Sequence, residues 1–319
     1  MPEPSPADLA NEYREGAAAY LWRQWKAIGA SVSSPNPARP IVDPEALILM
    51  SLWAADYERR LSDMVWSWTL VNSSLISIQR LRNLKNSFPV VVRQRLASLA
   101  EARVAAKDPR WNSLNRGSKT ELHERGGKVR AAPPRYSTWA TLMLQLRQGM
   151  GVGAKADALA FVLGLNNSPL EWASAAIISE SIGYTPAAVR RVMEDLAAAR
   201  FVRALDTAES ESAPQRMFSP NADAWAILLG VSKNQPGWGY WPERYRFFIE
   251  VIGWLDELEK RPIKGYAMDV GAREILVRNG PTLRRDRVVD PIEFAEAEFN
   301  FGSLAQVGRA MIQWMANNG

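Results

Sequence analysis

Residues 171–206 read EWASAAIISESIGYTPAAVRRVMEDLAAARFVRALD, and the way this stretch folds decides the architecture expected of the chain. Thr185-Pro186 is a helix start. A threonine oxygen accepts from first-turn N–H groups, and proline at the first helical position loses only a donor that has no partner there. Val189, Val192, Met193 and Leu196 then recur at spacings of three and four, so a helix running to Arg200 has one apolar face. Before it, Gly183-Tyr184 ends a helix spanning Trp172–Ile182, with glycine suited to the left-handed position past a helix C-terminus. After it, Phe201–Asp206 alternates as a strand, Thr207–Pro214 is a polar turn, and Gln215–Ser219 is a second short strand. With the apolar helix Ala156–Leu165 ahead, residues 154–220 are expected to hold three helices followed by a two-stranded hairpin.

Working outward, the first third reads as helices. Ala7–Ile28 places Tyr20, Leu21 and Trp25 on an apolar side, Ser31–Pro40 is a proline-rich turn, and Asp43 caps a helix begun by Pro44 and continuing through Ala55. Arg59–Val71, Ser74–Asn86 and Val91–Lys107 follow, then Tyr136–Gln148. On the C-terminal side, Ala222–Leu229, Pro242–Lys260, Pro291–Phe301 and Leu304–Met315 carry helical spacing. Pro236–Trp241 (PGWGYW) is an aromatic turn, read as core in preference to the lining of a ligand pocket. No fixed repeat period is present.

Several functions are disfavoured by residue type. The chain has one histidine and no cysteine, so histidine or thiolate zinc sites are not expected, nor are disulfides. A Ser-His-Asp triad would have to use His123, which lies in the most polar segment. The carboxylate pairs Glu257/Glu259 and Glu296/Glu298 are spaced by two, which puts them on different faces of a helix. The glycines of GMGVGAK (149–155) invite a phosphate-loop reading, but Ala154 separates Gly153 from Lys155 and Ala156 follows, where that motif needs Gly-Lys and then Ser or Thr. They read as a connector. No enzyme, cofactor or metal is expected. The acidic, proline-bearing start lacks the basic and apolar regions of a signal peptide, and charges interrupt every apolar run, so a cytoplasmic chain without a membrane span is expected.

Charge is unevenly placed. Lys107–Arg135 holds eight basic residues against three acidic, net +5, which equals the excess of the whole chain. With Leu75–Ala106 the basic block reaches net +10. Lys155–Gly230, by contrast, has six basic and nine acidic residues, net −3. Affinity for nucleic acid rests on phosphate neutralisation, so the acidic segment is an awkward groove binder by itself, and the basic block is the expected source of phosphate contacts.

GVGAKADALAFVLGL followed by SESIGYTPAAVRRVMEDLAAARFVRALD resembles the bacterial winged helix-turn-helix transcriptional regulators of the MarR/ArsR-like kind, over about residues 150–220. The resemblance implies a mainly α protein: a helical N-terminal domain (residues 1–106), a basic linker (107–135), a winged helix-turn-helix domain with a two-stranded wing (136–230) and a helical C-terminal region (231–319). It implies sequence-specific binding to double-stranded DNA in transcription regulation, as a homodimer, at a locus of the toxin–antitoxin or phage-defence type. Thr185 would cap the recognition helix; Ala187, Ala188, Arg190, Arg191 and Glu194 would form its groove-facing side; Arg203 and Arg216 would flank the wing. Phosphate contacts are expected from Arg116, Lys119, Arg125, Lys128 and Arg130 in the basic block. The acidic wing (TAESESAP) departs from the pattern and leaves open an alternative, a protein-interaction component of antitoxin or subunit type whose acidic winged helix binds a protein partner.

Overall fold

A computed structural model describes residues 4–32, 37–115, 131–165, 171–207, 215–230, 237–261, 265–285 and 299–318. The described residues are mainly helical, with one small antiparallel sheet. In chain order the elements are α1 (Pro6–Ala27), α2 (Pro44–Ala54), α3 (Arg60–Val71), α4 (Ile78–Leu84), α5 (Val90–Ala105), α6 (Leu142–Met150), α7 (Ala154–Gly164), β1 (Ala173–Ser174), α8 (Ala175–Ile182), α9 (Pro186–Ala198), β2 (Val202–Thr207), β3 (Gln215–Pro220), α10 (Ala222–Leu229), α11 (Trp241–Lys260), α12 (Tyr266–Arg285) and α13 (Phe301–Asn318). None of the described helices is long and apolar enough to cross a membrane.

Contacts group these residues into two compact units, Gln24–Gly239 and Met1–Arg23 with Tyr240–Gly319. In the unit built from both ends of the chain, α1 lies against α13. Tyr13 donates its hydroxyl proton to the Leu304 carbonyl at 2.8 Å. Gly308 makes the approach feasible, since a Cβ there would lie 1.8 Å from the Tyr13 oxygen. The Arg244 guanidinium sits 3.6 Å from the centre of the Trp314 ring, a cation–π contact. Trp238, Tyr240 and Trp241 are all buried, as a core reading of the aromatic turn requires.

Within Gln24–Gly239, α2 is the central helix, buried from Pro44 through Leu52. Asp43 caps it, accepting from the Ala46 N–H at 3.1 Å, with Pro44 at the first position as the sequence suggests. The unexpected feature is what else is buried beside it. Asp43, Glu45, Arg80, Arg147 and Asp157 are fully enclosed, and together they form one ion cluster. Arg80 donates through Nη1 to Asp43 at 3.0 Å and Glu45 at 2.5 Å, and through Nε to the Ile182 carbonyl at 2.6 Å. Arg147 bridges Glu45 and Asp157 with two bonds to each, at 2.7 to 2.9 Å. The Tyr184 hydroxyl donates to Asp157 at 3.0 Å, which makes Ser77 the donor in the 3.0 Å contact between Ser77 Oγ and Tyr184. Burial alone would raise the Glu45 pKa, but the charges of Arg147 and Arg80 override it and hold the carboxyl below its usual value.

This cluster explains the main departure from the expected helices. Ser74–Asn86 is not continuous: a 3-10 turn at Ser73–Leu75 leads to an extended Ile76, and α4 begins only after Ser77. Ser77 accepts from the Arg80 N–H through its side chain, while its own N–H donates to Glu45 at 2.8 Å. A buried carboxylate has drawn that N–H out of the helix. Two other starts are corrected. Tyr136–Gln148 becomes a regular helix only at Leu142, after a 3-10 turn at Trp139–Thr141. The expected helix from Trp172 opens instead with β1, two residues paired with β3. The helix α12 was not anticipated, and the expected helix Pro291–Phe301 falls almost wholly outside the described residues.

Breaking the cluster on one side should cost far more than breaking a surface pair. Arg147→Met, which takes from buried Asp157 its hydrogen-bonded guanidinium and from Glu45 one of two, is expected to lower unfolding free energy by about 3–5 kcal/mol. Arg14→Met, which removes the partly exposed pair with Asp256, should cost less than about 1 kcal/mol. Urea titration of the two variants checks this; equal losses would refute the special role of the cluster. The depressed Glu45 pKa adds a sign. Its contribution is complete above the unfolded glutamate value of about 4.3 and is lost as pH falls through the folded value. Stability should therefore drop on acidification below that point, and less in Glu45→Gln than in the wild type.

Candidate nucleic-acid interface

The segment singled out by the sequence folds as α7, β1, α8, α9, β2 and β3, with the strands in the order β1-β3-β2. Strands β2 and β3 pair from Val202↔Pro220 to Thr207↔Gln215. The residues joining them, 208–214, which include most of the acidic turn, lie outside the described set. Ser174 caps α8 by accepting from the Ile177 N–H. Gly183 ends α8 at φ +70°, a left-handed conformation that favours glycine, and Thr185 caps α9 by accepting from the Ala188 N–H at 3.4 Å.

The register of α9 follows the apolar spacing. Val189, Met193 and Leu196 are buried, and Val192 is half-buried. Thr185, Ala187, Arg190 and Arg191 are exposed, while Ala188 and Glu194 are half-buried. Arg190 and Arg191 make no hydrogen bond or ion pair with any described residue, so both guanidinium groups are available on one side of this helix.

Of the other cations of the segment, Arg200, just past α9, is exposed and likewise has no ion pair with a described residue, while the remaining three are engaged. Arg216, on β3, lies 3.4 Å from Glu194 and 3.7 Å from Asp206. Lys155 lies 3.5 Å from Asp195. Arg203, on β2, donates to Ser219 Oγ at 3.2 Å and sits 5.7 Å from the centre of the Trp172 ring. Pairing within the fold takes up cations and carboxylates together and leaves the net acidity as counted, and Glu171, Glu180, Asp195, Asp206 and Asp223 are exposed.

The basic block divides in the same way. Arg80 is buried against carboxylates and Arg103 is buried over the Trp66 ring, so neither guanidinium is open to a phosphate. Arg95 pairs with Asp56. Arg110 pairs with Asp108, and its hydrogen bond is the main reason the Asp108 pKa sits at about 2. A net of +10 for Leu75–Arg135 therefore overstates the positive surface. Arg116, Lys119, Arg125, Lys128 and Arg130 all lie outside the described residues.

Sequence reasoning missed the buried cluster. The signal was present: Glu45 within PEALILMSLWA and Asp157 within AKADALAFVLG are the lone carboxylates of two largely apolar helices. What the pattern lacks is the identity of their partners. The three carboxylates are filled by arginines, and no cluster suited to a metal ion occurs among the described residues. The chain matches no protein-family model, no curated protein and no solved structure.

A charge on the inner face of α9 should destroy the segment. Leu196 is 1% exposed, and Leu196→Asp would bury an unpaired carboxylate at a cost of several kcal/mol. The expected outcome is loss of the folded state or a much lower melting temperature by circular dichroism. A soluble variant with unchanged melting would show that the register of α9 is wrong.

Proposed function

We propose that residues 154–220 form a winged helix-turn-helix and that the protein binds double-stranded DNA sequence-specifically, as a homodimer acting in transcriptional control. In this reading α9 enters the major groove, a width that admits one helix. The observation that carries it is the exposed pair Arg190 and Arg191 on α9, unpaired among the described residues and followed just past the helix by the likewise unpaired Arg200, while Lys155, Arg203 and Arg216 are engaged elsewhere in the same segment. The element order supports it: helix, short strand, two helices joined at Gly183, then two antiparallel strands. Arginine suits this role because its planar fork can donate two bonds to the edge of a guanine.

A second reading rests on a different observation. Glu171 and Glu180 of this segment are exposed with no ion pair among the described residues, and Asp195 and Asp206 stay exposed within their pairs. An acidic surface of this kind suits a basic protein partner better than a phosphate backbone.

The double variant Arg190→Ala, Arg191→Ala separates the two readings. Both positions are exposed, so melting should be unchanged. Against a duplex selected by the wild-type protein from a random pool, removal of two base contacts worth about 1–3 kcal/mol each should weaken binding roughly 30-fold or more. Fluorescence anisotropy at fixed salt measures it. Equal affinity of wild type and variant would remove the assignment of α9, and a wild type that selects no duplex would favour the protein-partner reading.

A further inference from the structure

The turn between α8 and α9 is covered by a helix that lies about a hundred residues earlier in the chain. Four successive points of α4 and its cap touch it. Ser77 Oγ lies 3.0 Å from the Tyr184 hydroxyl, Arg80 Nε donates to the Ile182 carbonyl at 2.6 Å, and Asn83 Nδ2 donates to the Gly183 carbonyl at 2.9 Å. Leu84 closes the contact: a Cβ added to Gly183 would sit 3.2 Å from its Cδ2. Because Arg80 belongs to the buried ion cluster, α4 has little freedom to slide or tilt against this turn. Its outer residues are therefore held at the entry to α9.

Those outer residues carry charge. Arg82 is exposed and Lys85 is half-buried, one residue before and two residues after Asn83. Neither side chain makes a hydrogen bond or ion pair with any described residue. Of the other cations in this stretch, Arg80 is committed to buried carboxylates, Arg95 to Asp56 and Arg103 to a buried position over Trp66, while Arg93, exposed and unpaired among the described residues, lies on α5 and not on the helix that touches this turn. Two available cations thus remain next to the turn that opens the candidate recognition helix.

We infer that α4 and the residue that follows it form a second DNA-contacting element, in which Arg82 and Lys85 bind backbone phosphates beside the groove entered by α9. The inference rests on the DNA-binding reading and adds to it the source of charge that the acidic segment lacks. Phosphate contacts of this kind set register and orientation and carry no sequence preference, which suits lysine and arginine on a rigid helix flanking the reading helix. It also explains the sharing of labour within α4: Arg80 and Leu84 face inward to hold the turn, and Arg82 faces outward.

The test uses the full chain and two duplexes, one selected by the wild type and one of random sequence, titrated by anisotropy over a range of salt. Arg82→Gln with Lys85→Gln should lower affinity for both duplexes by the same factor. It should also flatten the slope of log K against log salt by about 0.9 for each phosphate that is no longer neutralised. Arg59→Gln with Arg93→Gln removes the same charge from exposed positions on α3's cap and α5 and should change neither quantity. The swap Arg82→Lys with Lys85→Arg keeps the charge and should keep the slope; a fall there would show that packing, not charge, is responsible, and would overturn the inference. If Arg190→Ala, Arg191→Ala weakens binding while Arg82→Gln, Lys85→Gln behaves as the control pair, the role of α4 fails and that of α9 stands. If the wild type shows no salt-dependent binding to either duplex, both fail together.

Discussion

Two arginines and three carboxylates, enclosed without contact with solvent, set the constraint on which the Gln24–Gly239 unit depends. Burying ions costs several kcal/mol each, and the cost is offset only when every charge meets a partner at good geometry. Asp43 and Glu45 come from the start of α2, Arg80 from α4, Arg147 from α6 and Asp157 from α7. The carboxylates outnumber the guanidinium groups by one. That excess is met by neutral donors: the Ser77 and Ala46 N–H groups and the Tyr184 hydroxyl, whose proton is held more tightly because it is buried and faces Asp157. Displacing any one of these elements leaves at least one ion unpaired in a dry interior. Apolar packing is tolerant of small slides; this arrangement is not.

The consequence for the candidate interface is positional. The proposed recognition helix begins two residues after Tyr184, which is itself a member of the cluster, and the turn that precedes it is bonded to α4. The α7–β3 segment therefore does not stand apart from the N-terminal helices. Its orientation is inherited from them, and its deficit of positive charge is best judged with them. Counting charge along the chain placed a strongly basic block beside an acidic one. In the folded protein several basic residues neutralise carboxylates inside the structure, and the remainder is smaller and more localised than the count implies.

Local pattern was a good guide where one helix decided its own limits. Thr185-Pro186 and the spacing of Val189, Met193 and Leu196 marked α9 within two residues at its C-terminal end, because cap chemistry and an apolar stripe are both encoded nearby. Asp43-Pro44 did the same for α2. Pattern failed where a distant group intervened. Ser74–Asn86 has the spacing of a single helix, yet Glu45, 32 residues away, takes the Ser77 N–H and splits it. The strand β1 is two residues long and exists only because β3 pairs with it, so no alternation could reveal it. Helix α12 carries Gly271 and an internal Pro281, both of which argue against a helix on propensity alone.

Among the described residues, the sequence by itself determined the mainly helical class, the caps and inner face of α9, the strands β2 and β3, and the burial of the aromatic turn. Each of these follows from residues within a few positions of one another, where backbone geometry and side-chain periodicity leave little choice. Only the tertiary structure decided which charges are surface and which are scaffold. Arg80 and Arg82 look alike in the sequence, two residues apart in a basic stretch, yet one is sealed among carboxylates and the other is open to solvent. Arg147 meets Glu45 across 102 residues of chain. The energy of an ion depends on what surrounds it in space, and that environment is assembled by segments whose separation along the chain carries no local signature.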